Sequence, residues 1–324
     1  MKVSILMTVY NQEGLISQAI ESVLMQEVDF DYEIVIGEDN SIDRTREIVL
    51  RFQAKYPAKI RVQLRDPETS ERDRARGLGG KTNFVRGLQE CQGKYVALLD
   101  GDDYWTDPHK LQKQVAFLES HPECSLCFHN AEMFYDDGSQ PSEKLRSAEQ
   151  KEISTVEDIL GGMVPIPCTV LFRNNLIGVM PESFDKVTNG DWMLDVLLAE
   201  RGKVGYINEV MAAYRIHGEG FWSRLSSTQR LKGHINTYRT IDAHLKFKYH
   251  KLISKKVAEL KEVHARSCLG QYHEVVKKGE LKTGFRLLIE ATQYAPLEVL
   301  RPRLLAAVLK NGLVGIFWKT NEEN

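Results

Sequence analysis

Short β-rich apolar runs alternate with segments of helical spacing through the first 120 residues, and this alternation restricts the fold more than any other feature. Runs at Lys2 to Val9, Tyr32 to Ile36, Ile60 to Leu64 and Tyr95 to Leu99 read as strands. Between and after them, Gly14 to Gln26, Arg44 to Tyr56, Asn83 to Cys91 and His109 to Ser120 read as helices; in the first, Leu15, Ala19, Ile20, Val23 and Leu24 fall at helical spacing. Strand-helix repetition of this kind predicts an α/β fold with a mostly parallel sheet flanked by helices, whose ligands collect beyond the carboxyl ends of the strands. Val204 to Ile207 and Val210 to Arg215 read as late strands, and from about Leu225 the pattern is helical. The chain therefore divides into a sheet-containing part, residues 1–223, and a helical C-terminal region, residues 224–324. Two polar segments, Arg65 to Arg76 and Asp136 to Glu152, read as mobile lids or surface loops.

Charge separates the same two parts. Residues 224–324 carry 19 Lys+Arg against 9 Asp+Glu, whereas the whole chain of 324 residues has net charge −2. The chain as a whole lacks the basic surplus that nucleic-acid binding needs. The opening MKVSILMTVYN breaks too early for a signal peptide, so a cytoplasmic location is expected, and no apolar stretch reaches the length of a membrane span. Cys91, Cys124, Cys127, Cys168 and Cys268 are odd in number and scattered, which predicts reduced core thiols. Cys124 and Cys127 lie in a strand-like run, away from the helix start or second pair that a redox or zinc site uses.

Acidic residues concentrate where the expected strands end. Glu38-Asp39-Asn40-Ser41-Ile42-Asp43 opens a helix; Asp39 is placed for a ligand, and Asp43 for capping. Asp100-Gly101-Asp102-Asp103 follows a buried run, and three carboxylates that close call for a divalent cation, Mn²⁺ or Mg²⁺, to relieve their repulsion, a polar turn with helix-capping acids before the His109 helix being the plain alternative. Asp191 opens a late helix, where capping is the plain alternative, and His217 follows the last strand in a glycine-bearing loop. Gly77-Leu-Gly-Gly-Lys-Thr82 imitates a phosphate-binding loop, but Ala75 stands where its first glycine belongs, and a charged segment precedes it in place of a strand. A glycine-rich bend delivering Asn83 to the cleft fits better.

These motifs, in this order, resemble the inverting family-two glycosyltransferases of the GT-A fold over residues 1–223. The resemblance implies a catalytic domain over that stretch and assigns roles position by position. Thr8, Tyr10 and Asn11 look like the opening strand and turn; Glu38, Asp39 and Asp43, with Asn83, match the nucleoside side of the donor pocket. Asp100, Gly101 and Asp102 look like the Asp-x-Asp element that holds ribose and metal, Asp191 matches the catalytic base, and His217 a late metal- or diphosphate-binding residue. Glu38 replaces the more usual Asp, and Gly190 stands where the family often has Glu. Trp105, Trp192 and Trp222 are candidate sugar or acceptor contacts, with core packing the alternative.

The implied reaction is metal-dependent transfer of a sugar from a nucleotide-diphosphate donor, most commonly UDP-linked, to a hydroxyl of a glycan or lipid-linked acceptor in cell-surface polysaccharide synthesis. A nucleotidyltransferase or nucleotide-sugar hydrolase on the same sheet, and a noncatalytic binding protein, are the competing readings. Leu304, Leu305, Val308, Leu309, Leu313, Ile316 and Phe317, with Arg301, Arg303, Lys310 and Lys319, suit peripheral docking on the cytoplasmic face of the inner membrane. Helices packing on the catalytic domain or on a second copy fit the same pattern equally well.

Overall fold

A computed structural model describes residues 1–296 other than 148 and 221. The first half comprises β1 (Val3–Val9), α1 (Ile16–Leu24), β2 (Tyr32–Glu38), α2 (Thr45–Lys55), β3 (Ile60–Leu64), α3 (Pro67–Ala75), α4 (Gly79–Glu90), β4 (Tyr95–Leu98), β5 (Tyr104–Trp105), α5 (Lys110–Ser120) and β6 (Cys124–Tyr135). It continues with β7 (Glu143–Lys144), β8 (Ile153–Ser154), α6 (Val156–Leu160), β9 (Leu171–Arg173), α7 (Ser183–Lys186), α8 (Gly190–Ala199) and β10 (Lys203–Ile216). Three helices end the described chain: α9 (Ser227–His244), α10 (His250–Lys277) and α11 (Leu281–Tyr294).

Among the described residues one sheet runs in the order β3-β2-β1-β4-β9-β6-β10-β5, with β7 and β8 attached to β6 and β10. β3, β2, β1 and β4 are mutually parallel, as are β6 and β10, whereas β9 lies antiparallel between β4 and β6. Every residue of β2 is buried, as a parallel strand covered on both faces requires. The register pairs Val9 with Glu38 and Leu6 with Leu98, so the segments after β1, β2 and β4 leave the sheet at one edge. That edge is where the acidic motifs sit.

Several expectations need correction. Arg65 to Arg76 is no loose loop: Asp66 caps α3 by accepting from the Thr69 N–H, and Arg65 is buried between two carboxylates. The two late strands are one, β10, which absorbs register shifts around Val210 as bulges. Gly79 and Gly80 open α4 instead of forming a bend. The short strand β9, which inserts the antiparallel element, is not among the expected strands, although Val170-Leu171-Phe172 is an apolar, β-prone run. All five cysteines are buried and free, as expected.

The change from strands to helices falls between Ile216 and Ser227, yet packing continues across it. Tyr238, Ile241 and Ile253 share a core with Trp192, Leu194 and Phe184, and the Tyr238 hydroxyl donates to the Leu160 carbonyl. A separate small core forms farther along, from Ala265, Cys268, Leu269 and Tyr272 on α10 and Leu287 and Ala291 on α11. No described helix is long and apolar enough to cross a membrane, and the proposed docking stretch from Arg301 to Lys319 lies outside the described residues.

One core residue sets a pH dependence. Lys110 is fully buried, its Nζ lies 3.8 Å from the centre of the Trp105 ring, and among the described residues it has no hydrogen-bond partner. Burial pushes its amine down to about 7. Between that value and the ordinary 10.5 the unfolded chain binds the extra proton, so stability rises with pH across this window and the penalty is complete below it. Lys110→Met is expected to stabilise the protein at pH 7 by a few kcal/mol and to flatten stability between pH ~7 and ~9. Urea unfolding at the two pH values checks this; an unchanged midpoint and slope would refute it.

Candidate active site

The site grows from the ends of β1, β2, β4 and β10. Thr8, at the end of β1, donates its hydroxyl to Asp100 Oδ1 at 2.7 Å, fixing that carboxyl beside the strand edge. Gly101 follows under a ceiling that admits no side chain: a Cβ there would lie 2.4 Å from Gln12 Oε1 and 2.8 Å from Val9. Asp102 comes next and remains partly open to solvent, with His217 Nε2 3.1 Å from its Oδ2. Asp103 turns inward and accepts from the Arg215 N–H at 2.9 Å, while Arg215 Nε donates to the Asp102 carbonyl at 3.0 Å. The end of β10 thus clamps the loop after β4 and carries His217 to it.

Negative charge concentrates in this loop. Desolvation and then the charge of Asp102 push Asp100 up to about 7, with Asp191 adding a smaller push in the same direction. Asp103 is raised well above the usual carboxylate range by the same two causes in the same order. The hydrogen bond to Asp102 raises His217. A carboxylate pair and an imidazole form an oxygen-and-nitrogen donor set suited to Mn²⁺, and the oxygens alone to Mg²⁺, so the residues fit a divalent cation.

Asp191 stands in the first turn of α8 and faces solvent, although protein crowds it on most sides. That crowding raises its pKa and brings it within electrostatic reach of Asp100. An exposed carboxyl beside a partly buried acid pair is what a cleft wall presents.

The residues expected on the nucleoside side are held more tightly than their spacing suggests. Asp39 is buried and accepts from Arg65 at 2.7 Å and from the Ser70 hydroxyl at 2.6 Å; the Arg74 guanidinium donates to its carbonyl at 2.6 Å. Glu38 is fully buried, with both oxygens used: one accepts from the Ser41 N–H and one from Arg46 Nε, each at 2.6 Å. Asp43 does what a cap does, accepting from the Thr45 and Glu13 N–H groups, and these bonds lower its pKa against the opposing desolvation. Asn83, inside α4, donates to the Gly37 carbonyl at 2.7 Å. Asn11 takes a left-handed turn, φ 51°, that its short amide tolerates, and accepts from the Ile42 N–H. Tyr10 is exposed beneath the Arg74 guanidinium, 4.7 Å from its ring centre.

The tryptophans separate. Trp105 is 1% exposed, its indole N–H donating to the Cys168 carbonyl, so it is a core residue and leaves no face for a sugar. Trp192 is likewise buried, edge-on to Tyr238 and His234. Trp222 is only half-buried and lies against His234 at 5.0 Å, which places it near the start of α8. The sequence reading missed Arg65, Ser70 and Arg74 around Asp39, and Arg215 of β10, which holds the loop after β4. Arg65 directly follows a strand, and Arg215 stands two positions before His217; those placements were the available signals.

Comparison with known proteins decides the family. The glycosyl transferase family 2 profile matches residues 4–177, more than half of the chain. The chain belongs to glycosyl transferase family 2. The family assignment agrees with relatives of the chain. It is 33% identical over 227 residues to the uncharacterized protein Rv1520 of Mycobacterium tuberculosis, the match covering 70% of this chain and 62% of that protein. It is 30% identical to the putative teichuronic acid biosynthesis glycosyltransferase TuaG of Bacillus subtilis, over 66% of this chain and 79% of that one. Among solved structures, S. aureus TarS 1–349 in complex with UDP-GlcNAc aligns with TM-score 0.51 at 16% identity, covering 90% of this chain and 92% of that one. The mannosyltransferase PcManGT of Pyrobaculum calidifontis, in complex with GDP-Man and Mn²⁺, aligns with TM-score 0.54 at 15% identity, covering 98% and 88%. These likenesses carry the fold, the expected GT-A α/β arrangement with a mostly parallel sheet.

Proposed function

We propose that this family-two protein transfers a sugar, with inversion, from a UDP-sugar to a hydroxyl of a glycan or lipid-linked acceptor in cell-surface polysaccharide synthesis. The observation that carries the reading is the convergence of Asp100, Asp102, His217 and the exposed Asp191 at one sheet edge, contributed by segments distant in sequence. The names of TuaG and of the TarS complex support the product setting and the donor.

In this proposal Asp102 and His217, with Asp100, would hold Mn²⁺ or Mg²⁺, which when bound neutralises charge on the donor diphosphate and improves it as a leaving group. Thr8 keeps Asp100 oriented, and the Arg215 clamp keeps the loop after β4 in place. Asp39, braced by Arg65 and Ser70, lines the nucleoside end together with Asn83 and the Tyr10 face. Asp191 takes the proton of the acceptor hydroxyl at its carboxylate as that oxygen attacks the anomeric carbon. Trp222 lies on the acceptor side. Because α9 shares the core beneath α8, it is part of the catalytic unit in this reading, although the domain boundary is drawn at residues 223 and 224.

Calorimetry with UDP, GDP and dTDP, in Mn²⁺ and in chelator, tests the donor site. UDP binding is expected to need the metal and to weaken at least about tenfold, ~1.4 kcal/mol, in Asp102→Ala. Metal-independent binding, or binding unchanged in the variant, would remove Asp102 from the donor site. Diphosphate release from a nucleoside triphosphate would favour a nucleotidyltransferase instead.

A further inference from the structure

The second small core holds a group of side chains that sugar transfer does not use. His264 and Cys268 stand one turn apart on α10, so both project from the same face, and Glu290 meets them from α11. His264 Nε2 lies 2.8 Å from Glu290 Oε1 and 3.5 Å from Cys268 Sγ, and the three potential ligand atoms all lie within 4.8 Å of one another. His264 and Cys268 are 7% and 3% exposed. The Thr228 hydroxyl of α9 donates to the same Glu290 oxygen, and the Tyr294 ring stands edge-on to His264. Three helices therefore meet at one nitrogen, one sulfur and one carboxylate.

We propose that His264, Cys268 and Glu290 form a Zn²⁺ site that ties α10 to α11. Donor chemistry selects the metal: a thiolate with an imidazole favours zinc over the hard cations Mg²⁺ and Ca²⁺. Charge favours it too, since Zn²⁺ with one thiolate and one carboxylate is neutral, the composition a buried site tolerates best. Ligand atoms around a tetrahedral zinc stand about 3.3–3.8 Å apart, so small side-chain rotations bring this triad to bonding geometry, with water as the fourth ligand. As His264 Nε2 takes the metal in place of its hydrogen bond to Glu290, the imidazole keeps its proton on Nδ1 by tautomer exchange through solvent, and the Cys268 proton leaves to solvent. The need is physical as well. The core joining α10 to α11 consists of few residues, and helical units with so little buried apolar surface are commonly held by a metal or a disulfide.

This site is independent of the sugar-transfer reading and is tested apart from it. Full-length protein, purified without a histidine tag and stripped with chelator, would be titrated with Co²⁺ and with Zn²⁺. The expected result is a cobalt-thiolate charge-transfer band that saturates at one equivalent, is displaced by Zn²⁺ and persists in Asp102→Ala. Cys268→Ser should abolish the band, and His264→Ala and Glu290→Gln should weaken metal binding by at least about 100-fold, with far-ultraviolet circular dichroism confirming that each variant is folded. Absence of a band in folded wild-type protein would overturn the site, as would a band that survives Cys268→Ser.

Discussion

Asp191→Asn is expected to lower sugar transfer by about 10²–10⁴-fold, the usual contribution of a positioned general base, while UDP affinity in Mn²⁺ changes by less than about two-fold. The substitution keeps side-chain shape in the first turn of α8 and removes only the capacity to accept a proton. The helix tolerates it, because the lost charge at its N-terminus is worth about 0.3–1 kcal/mol at an exposed position. Asp191 makes no part of the Thr8, Asp100, Asp102 and His217 cluster by hydrogen bonding, so donor binding has no reason to follow turnover. Steady-state turnover and isothermal binding on the same preparation separate the two effects. Parallel losses in both would make Asp191 a binding residue, and unchanged turnover would move the base elsewhere.

Arg65→Ala has the largest expected effect on stability, about 3–5 kcal/mol, the range for removing one partner of a buried ion pair. Arg65 is 2% exposed and bridges Asp39 at 2.7 Å and Asp73 at 2.5 Å, with a further hydrogen bond to the Gly79 carbonyl at 3.1 Å. Its removal leaves Asp39 with Ser70 as its close side-chain donor and leaves Asp73 without its strongest partner. If Asp39 lines the nucleoside end as proposed, the same substitution should weaken UDP binding, because Asp39 would no longer be held in place. Arg65→Lys should recover only part of the stability, since an ammonium cannot span both carboxylates with the guanidinium fork. Urea unfolding of the three proteins measures this. A loss below about 1 kcal/mol in the alanine variant would mean that the pair behaves as a surface ion pair and does not brace the pocket.

Braced and open carboxylates divide the cleft. Asp39 and Glu38 are fixed by arginines and hydroxyl or amide donors, whereas among the described residues Asp100, Asp102 and Asp191 have no guanidinium or ammonium partner in an ion pair. An acid already satisfied by the protein can shape a pocket and present one remaining direction. Acids left unsatisfied are the ones with charge available for a cation or a proton.

The order of strands and helices in residues 1–120, and the acidic loops behind β2 and β4, were legible in sequence because both depend on local pattern. Apolar periodicity reports which side of a segment is buried, and a polar loop after a buried run must lie at a strand end. The same locality made His217 visible, directly behind β10. Tertiary structure decided whatever depended on partners far along the chain. The charged stretch from Arg65 reads as a loop until Asp39, 26 residues earlier, accepts from it and draws it into the core. Trp105 and Trp192 read equally as sugar contacts or core residues until their indoles are seen buried, and β9 acquires its antiparallel place only by pairing with β4 and β6. His264 and Cys268 share a helix face by spacing alone, but Glu290 joins them only because α11 folds back on α10. Sequence pattern determined which segments form and where polar loops emerge; the energy of burying charge and sulfur depends on what surrounds them, and only the folded chain supplies those surroundings.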